Sequence, residues 1–131
     1  MFYSETLPKS LSAPSRAREM LDGIQSELSP ERLDDARLLL SEIVANAVEH
    51  VREDGDIEVR IQVQDGVLRV EVLDPGPGFT YQPRTADSGN ESGWGLHFAE
   101  LVADRWAADR DGRARVWFEL VLSKPDVGAV P

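Results

Sequence analysis

The strongest constraint on this chain is a pair of alternating segments. Ile57, Val59, Ile61 and Val63 alternate with Glu58, Arg60 and Gln62, and Leu68, Val70 and Val72 alternate with Arg69 and Glu71. A period of two puts the apolar set on one face of a strand and the polar set on the other. Asp65-Gly66 between them is a turn pair that tolerates positive φ and closes a tight hairpin. Such a hairpin must have one face covered and can leave the other in water.

The residues before the hairpin supply a helical cover. Ala17, Met20, Leu21, Ile24 and Leu28 follow helical spacing, with Pro14 suited to a first turn. Ser29-Pro30-Glu31 then reads as a cap, a first-position proline and an acid at the positive helix end. The second helix carries Leu33, Ala36, Leu40, Ile43, Val44, Ala47 and Val51 as its apolar stripe and is expected to end near Asp54-Gly55. Phe2 to Leu7 alternates loosely, as an edge strand closed by Pro8 would. Beyond the hairpin, a polar stretch at 80–92 precedes a helix from about Gly93, with Leu96, Ala99 and Val102 inward. Residues 104–108 and 114–122 read as a last strand pair around Asp111-Gly112. The order predicts an α+β two-layer sandwich, with helices on one face of a mostly antiparallel sheet. Residues 1–122 are expected to form one domain and 123–131, with Pro125, Gly128 and Pro131, a flexible tail.

Charge and composition narrow the function. Asp and Glu number 24 against 14 Lys and Arg, a net charge of -10 over 131 residues. That excess argues against nucleic acid and against an anionic membrane surface, since both are held largely by Lys and Arg. No apolar run approaches the ~20 residues of a spanning helix. The absence of cysteine excludes disulfides, a thiolate zinc site and a cysteine nucleophile. Met1 to Glu5 lack the basic and apolar regions of a signal peptide, so a cytoplasmic protein is expected. A negative protein can still hold a phosphate on a few backbone N–H groups.

Three clusters have chemical potential. Glu42 and Asn46 lie one turn apart, about 40° around the helix at ~100° per residue and away from the apolar stripe, with His50 continuing the row. A carboxylate can take a proton and an amide oxygen can bind magnesium; the same residues also suit a solvated helix face made partly apolar by Leu38 and Leu39. Asp74-Pro75-Gly76-Pro77-Gly78-Phe79 ends a strand. Its carboxylate can accept from an exocyclic amine while glycines admit a flat ring, or it can simply begin a surface turn. Gly93-Trp94-Gly95-Leu96 opens a helix whose free N–H groups suit phosphate, or it is a plain loop-to-helix junction.

Taken together and in this order, the clusters resemble the GHKL ATP-binding fold shared by gyrase, mismatch-repair ATPases, the heat-shock chaperone and histidine kinases. More narrowly, the chain is similar to the short anti-sigma-factor serine kinases. Glu42-Ile43-Val44-Ala45-Asn46-Ala47-Val48-Glu49-His50 matches the family's N-box, and the Asp74 and Gly93 clusters match its two glycine boxes, within a likeness running from about Leu11 to Leu122. The resemblance implies Glu42 as catalytic base and Asn46 as a ligand on the magnesium side. It implies that Asp74 contacts the adenine amine and that Gly76 and Gly78 shape the adenine pocket. Gly93, Trp94, Gly95 and Leu96 form the phosphate-side box, with the two glycines meeting the phosphates. Residues 80–92 become the nucleotide lid; its Arg84 suits either a phosphate or solvent.

Three departures stand out. Many relatives carry a Thr in the late strand beside the adenine, where the nearest match here is Arg115. Trp94 is bulky, and Pro77 offers no N–H between the glycines. The resemblance implies ATP and Mg2+ as ligands, an anti-anti-sigma factor as serine substrate and a sigma factor as sequestered target. It also allows a homodimer, which the helix patterns do not require. The alternative is a non-catalytic protein-binding module of the same fold with weak or lost nucleotide binding. A histidine-kinase catalytic domain fits poorly, because no segment is left for a dimerisation helix carrying an acceptor histidine.

Overall fold

Asp65 (φ 53°) and Gly66 (φ 74°) both occupy the left-handed region, as a two-residue type I′ turn requires. They join β2 (Ile57–Gln64) to β3 (Val67–Asp74), and the last cross-strand pair is Gln64 with Val67. The computed structural model describes residues 1–77 and 94–122. Within them, β1 (Phe2–Leu7) flanks β2, while β4 (Arg105–Asp111) and β5 (Arg113–Val121) form a second hairpin at Gly112 (φ 74°). The five strands run in the order β1-β2-β3-β5-β4 and every neighbouring pair is antiparallel. The expected α+β architecture is the observed one.

The helical layer comprises α1 (Ala13–Met20), a 3₁₀ helix (Leu21–Glu27), α2 (Pro30–His50) and α3 (Trp94–Val102). Ser29 caps α2 by accepting from the Arg32 N–H at 3.2 Å, a contact worth about 1 kcal/mol. The first helical segment differs from expectation: its α form stops at Met20 and the chain tightens into 3₁₀ through Glu27. Leu21 and Ile24 remain wholly buried because their spacing of three also suits three residues per turn. Gly23 leaves room there for the Tyr3 ring, whose hydroxyl donates to the Gly23 carbonyl at 3.3 Å.

The second helix also ends earlier than expected, at His50 rather than near residues 54–55. Val51 is extended (φ -82°, ψ 119°), and the carbonyls of Val51 and Glu53 are engaged by the Lys9 ammonium. Along α2, Ala36, Leu39, Leu40, Ile43, Val44 and Ala47 are buried. Leu39, which the pattern puts on the Glu42 side, therefore belongs to the core, and Leu38 is its exposed neighbour. These residues meet Ile57, Val59, Ile61, Leu68, Val70, Val72, Val116, Phe118 and Leu120 from the sheet. Each fully buried Leu, Ile or Phe contributes about 1.5–3 kcal/mol. Among the described residues no helix is long and apolar enough to cross a membrane.

The opposite face of the sheet is a lattice of arginines and carboxylates. Arg60 donates to Glu58 at 2.7 Å and Arg69 to Glu119 at 3.0 Å. Arg113 also pairs with Glu58, and Arg115 spans Asp109 at 2.7 Å and Glu71 at 2.8 Å. The Arg69 guanidinium stands 4.1 Å from the centre of the Trp117 ring, a cation–π contact. Much of the chain's positive charge is neutralised in this layer.

Candidate functional site

Asp74 is the next member of the core-facing series Leu68, Val70, Val72, so the alternation that buries those residues also carries a carboxylate inward. It is 9% exposed and the one buried charged side chain among the described residues. Its Oδ1 accepts the Gly76 N–H at 2.7 Å. Among the described residues its Oδ2 has no hydrogen-bond partner, so a buried acceptor is left open, which is costly unless something fills it. Burial pushes the Asp74 carboxyl above its ordinary range; the Gly76 N–H opposes this, Glu53 adds to it, and Arg113 and Lys9 counter it.

Pro75 has no N–H, so Gly76 is the first residue able to donate back to Asp74. A Cβ on Gly76 would stand 2.9 Å from Asp74 Oδ1 and 3.3 Å from both Val51 methyls. Glycine is needed here for close approach. The turn thus abuts the end of α2. At 1.5 Å per residue, Asn46 and Glu42 lie roughly 7 and 13 Å back along that helix from Val51. Both are partly exposed, and neither side chain makes a hydrogen bond or ion pair among the described residues. His50, the third of the row, faces Glu49 at 3.7 Å and is exposed. Asn46 offers a hard amide oxygen of the kind magnesium accepts beside phosphate and water. No cluster of three or more acidic or histidine side chains suited to a metal occurs among the described residues.

Trp94, Gly95 and Leu96 open α3. Arg32 in the first turn of α2 pairs at 3.3 Å with Asp104, just beyond the end of α3, tying these helices together. Gly78, Phe79, the segment 80–92 with Arg84, Gly93 and the segment 123–131 lie outside the described residues.

One expectation needs correction. Arg115 is not on the Asp74 face of the sheet: it pairs in register with Leu73, whereas Asp74 pairs with Ala114. Directly opposed residues share a face, so Ala114, buried at 4%, is the β5 residue on the Asp74 side, and Arg115 belongs to the outer lattice. Lys9, whose ammonium reaches the carbonyls of Val51 and Glu53, was missed, since a lysine after Pro8 forms no motif.

A single polar side chain buried at the end of a strand, a glycine turn against it and a row of polar groups along the covering helix mark one end of this α+β sandwich. The chain belongs to the histidine kinase-like ATPase domain family, whose model matches residues 7–120. It is 33% identical over 88 residues to the serine-protein kinase RsbW of Listeria innocua, a match covering 63% of this chain and 56% of that protein. To the serine-protein kinase RsbW of Bacillus licheniformis it is 30% identical over 127 residues, covering 84% of this chain and 79% of that protein. The chain thus spans little more than half the length of the Listeria relative. The fold is similar to that in a crystal structure of the RsbU and RsbW domains of a Mycobacterium tuberculosis protein, with a TM-score of 0.72, 24% identity, and coverage of 93% of this chain and 32% of that one.

Proposed function

We propose that this chain binds ATP with Mg2+ and acts as a serine kinase of the anti-sigma type, phosphorylating an anti-anti-sigma partner and sequestering a sigma factor. The observation that carries the reading is the buried Asp74 carboxylate with one oxygen satisfied by Gly76 and the other open. An acceptor of that kind suits the exocyclic amine of adenine, and the bare Gly76 admits the ring beside it. The kinship to proteins named as serine-protein kinases supports the reaction class.

In this reading the base sits at the end of α2 and the phosphates extend back toward Asn46 and Glu42. Asn46 would hold the magnesium ion, which supplies charge neutralisation to the phosphates. The hydroxyl oxygen of the partner's serine attacks the terminal phosphorus, the bond to the bridging oxygen breaks, ADP leaves, and Glu42 takes the hydroxyl proton. Positioning supplies most of such a rate enhancement, and a general base adds about 10²–10⁴-fold. The opening of α3 at Trp94, Gly95 and Leu96, with Gly93 before it, is assigned to the phosphates; Gly78 is assigned with Gly76 to the base. A cytoplasmic setting fits this role.

Incubating the chain with Mg-ATP and its anti-anti-sigma partner, and locating phosphate on the partner by mass spectrometry, tests the proposal. Phosphoserine that appears with the native chain and not with Glu42→Ala is expected. Binding of the partner without transfer in either would leave the non-catalytic module as the correct reading.

A further inference from the structure

Lys9 lies in the link between β1 and α1, and its ammonium leaves the local chain to donate to the carbonyls of Val51 at 2.6 Å and Glu53 at 2.7 Å. Val51 is the C-cap of α2, the first residue after its end at His50. The charge therefore sits at the negative end of a 21-residue helix and engages carbonyls of the extended segment that follows it. Two charge-assisted bonds into one short segment fix its path.

That segment packs against the Asp74–Gly76 turn. The Val51 methyls lie 3.3 Å from where a Gly76 Cβ would stand, and the Pro75 ring lies 3.1 Å from where a Gly55 Cβ would stand. Gly76 in turn holds Asp74 Oδ1 at 2.7 Å. A continuous line of contact thus runs from Lys9 through Val51 and Gly76 to the carboxylate. Of the charges acting on Asp74, Lys9 and Arg113 favour its ionised form and Glu53 opposes it.

We propose that Lys9 is a positioning residue for the base pocket, holding the end of α2 against the Asp74–Gly76 turn so that the pocket favours a 6-amino over a 6-oxo purine. This rests on the ATP reading above. A fixed, ionised carboxylate attracts an amine and repels a carbonyl oxygen, so selectivity depends on both its place and its charge. Freed of Lys9, the turn shifts and Asp74 can rotate or hold a proton, and a protonated carboxyl can donate to a 6-oxo group.

Calorimetric titration of Mg-ATP and Mg-ITP into the native chain, Lys9→Met and Lys9→Arg, with circular dichroism as a check of folding, provides the test. In Lys9→Met the ATP affinity is expected to fall about tenfold and the ITP affinity much less, so that the ratio of the two drops; Lys9→Arg restores most of that ratio. If Lys9→Met does not fold, Lys9→Gln, which keeps a neutral donor, is read for the same drop. A variant that folds and keeps the native ratio, including one that loses both nucleotides equally, overturns the role of Lys9 and leaves the ATP reading standing. A native chain that binds no ATP overturns both.

Discussion

Asp74 lies directly across from Ala114 in the register of β3 and β5, and both are buried on the helix-facing side of the sheet. A methyl group is thus the strand neighbour of the one buried carboxylate among the described residues, and nothing on β5 at that level can hydrogen-bond its open oxygen. Among the described residues Gly76 is the one hydrogen-bond donor to the Asp74 carboxylate, which leaves a cost in stability that a bound amine would offset.

That cost gives a pH prediction. Burial raises the Asp74 carboxyl above its ordinary value, so between the two values the folded chain holds a proton that the unfolded chain has lost. Stability then falls as pH rises through that window. Asp74→Asn keeps the oxygen facing Gly76 and carries no charge. It should melt above the native chain at pH 7, and the difference should close as pH drops below ~3.9, the ordinary Asp value. Melting curves across that range check this.

Gly76→Ala should damage the site by crowding. The added methyl would stand 2.9 Å from Asp74 Oδ1 and 3.3 Å from Val51, so the carboxylate or the end of α2 must move. Overpacking of this kind costs about 1–3 kcal/mol. Denaturant unfolding gives the stability loss, and nucleotide titration should show weakened binding in the folded fraction.

Glu42→Ala separates chemistry from folding. Since the Glu42 side chain has no partner among the described residues, its removal should change stability by no more than about 0.5 kcal/mol. Phosphoryl transfer should fall by about 10²–10⁴-fold. Single-turnover kinetics beside a melting curve would show the split; a large loss of stability would mean Glu42 serves the fold.

Arg115→Ala should behave in the opposite way. The hydrogen bond from Arg115, with a second from Trp117, holds the Asp109 carboxyl below its ordinary value. The stabilisation is therefore present above the ordinary Asp range and is lost as pH falls through the lowered value. Arg115→Ala should be destabilised at neutral pH, with the gap to the native chain narrowing in acid, while ATP affinity stays within about twofold because the residue is on the far face. Melting curves and titrations on the same samples check both halves.

The parts of this architecture legible in the sequence are those set by near neighbours. The β2–β3 hairpin follows from two alternating runs and Asp65-Gly66, and the start of α2 from Ser29-Pro30-Glu31, because each is decided within a few residues. The Glu42–Asn46 row follows from helical angle alone. What was not legible depends on distant partners. Lys9 meets Val51 and Glu53, just past the end of α2, from 42 and 44 residues away, and leaves no local sign of it. Whether Ala114 or Arg115 faces Asp74 depends on the β3–β5 register, where a slip of one residue reverses every side chain. One readable signal went unused: Asp74 falls in phase with Leu68, Val70 and Val72, which by itself predicts a buried carboxylate.

The central claim, that Asp74 reads the base of ATP, is tested most directly by calorimetry of Mg-ATP with the native chain and with Asp74→Asn. Saturable one-to-one binding by the native chain is predicted, with affinity at least about tenfold weaker in a folded Asp74→Asn that has lost the charged acceptor. Equal affinity in the two, or no binding by the native chain, would contradict it.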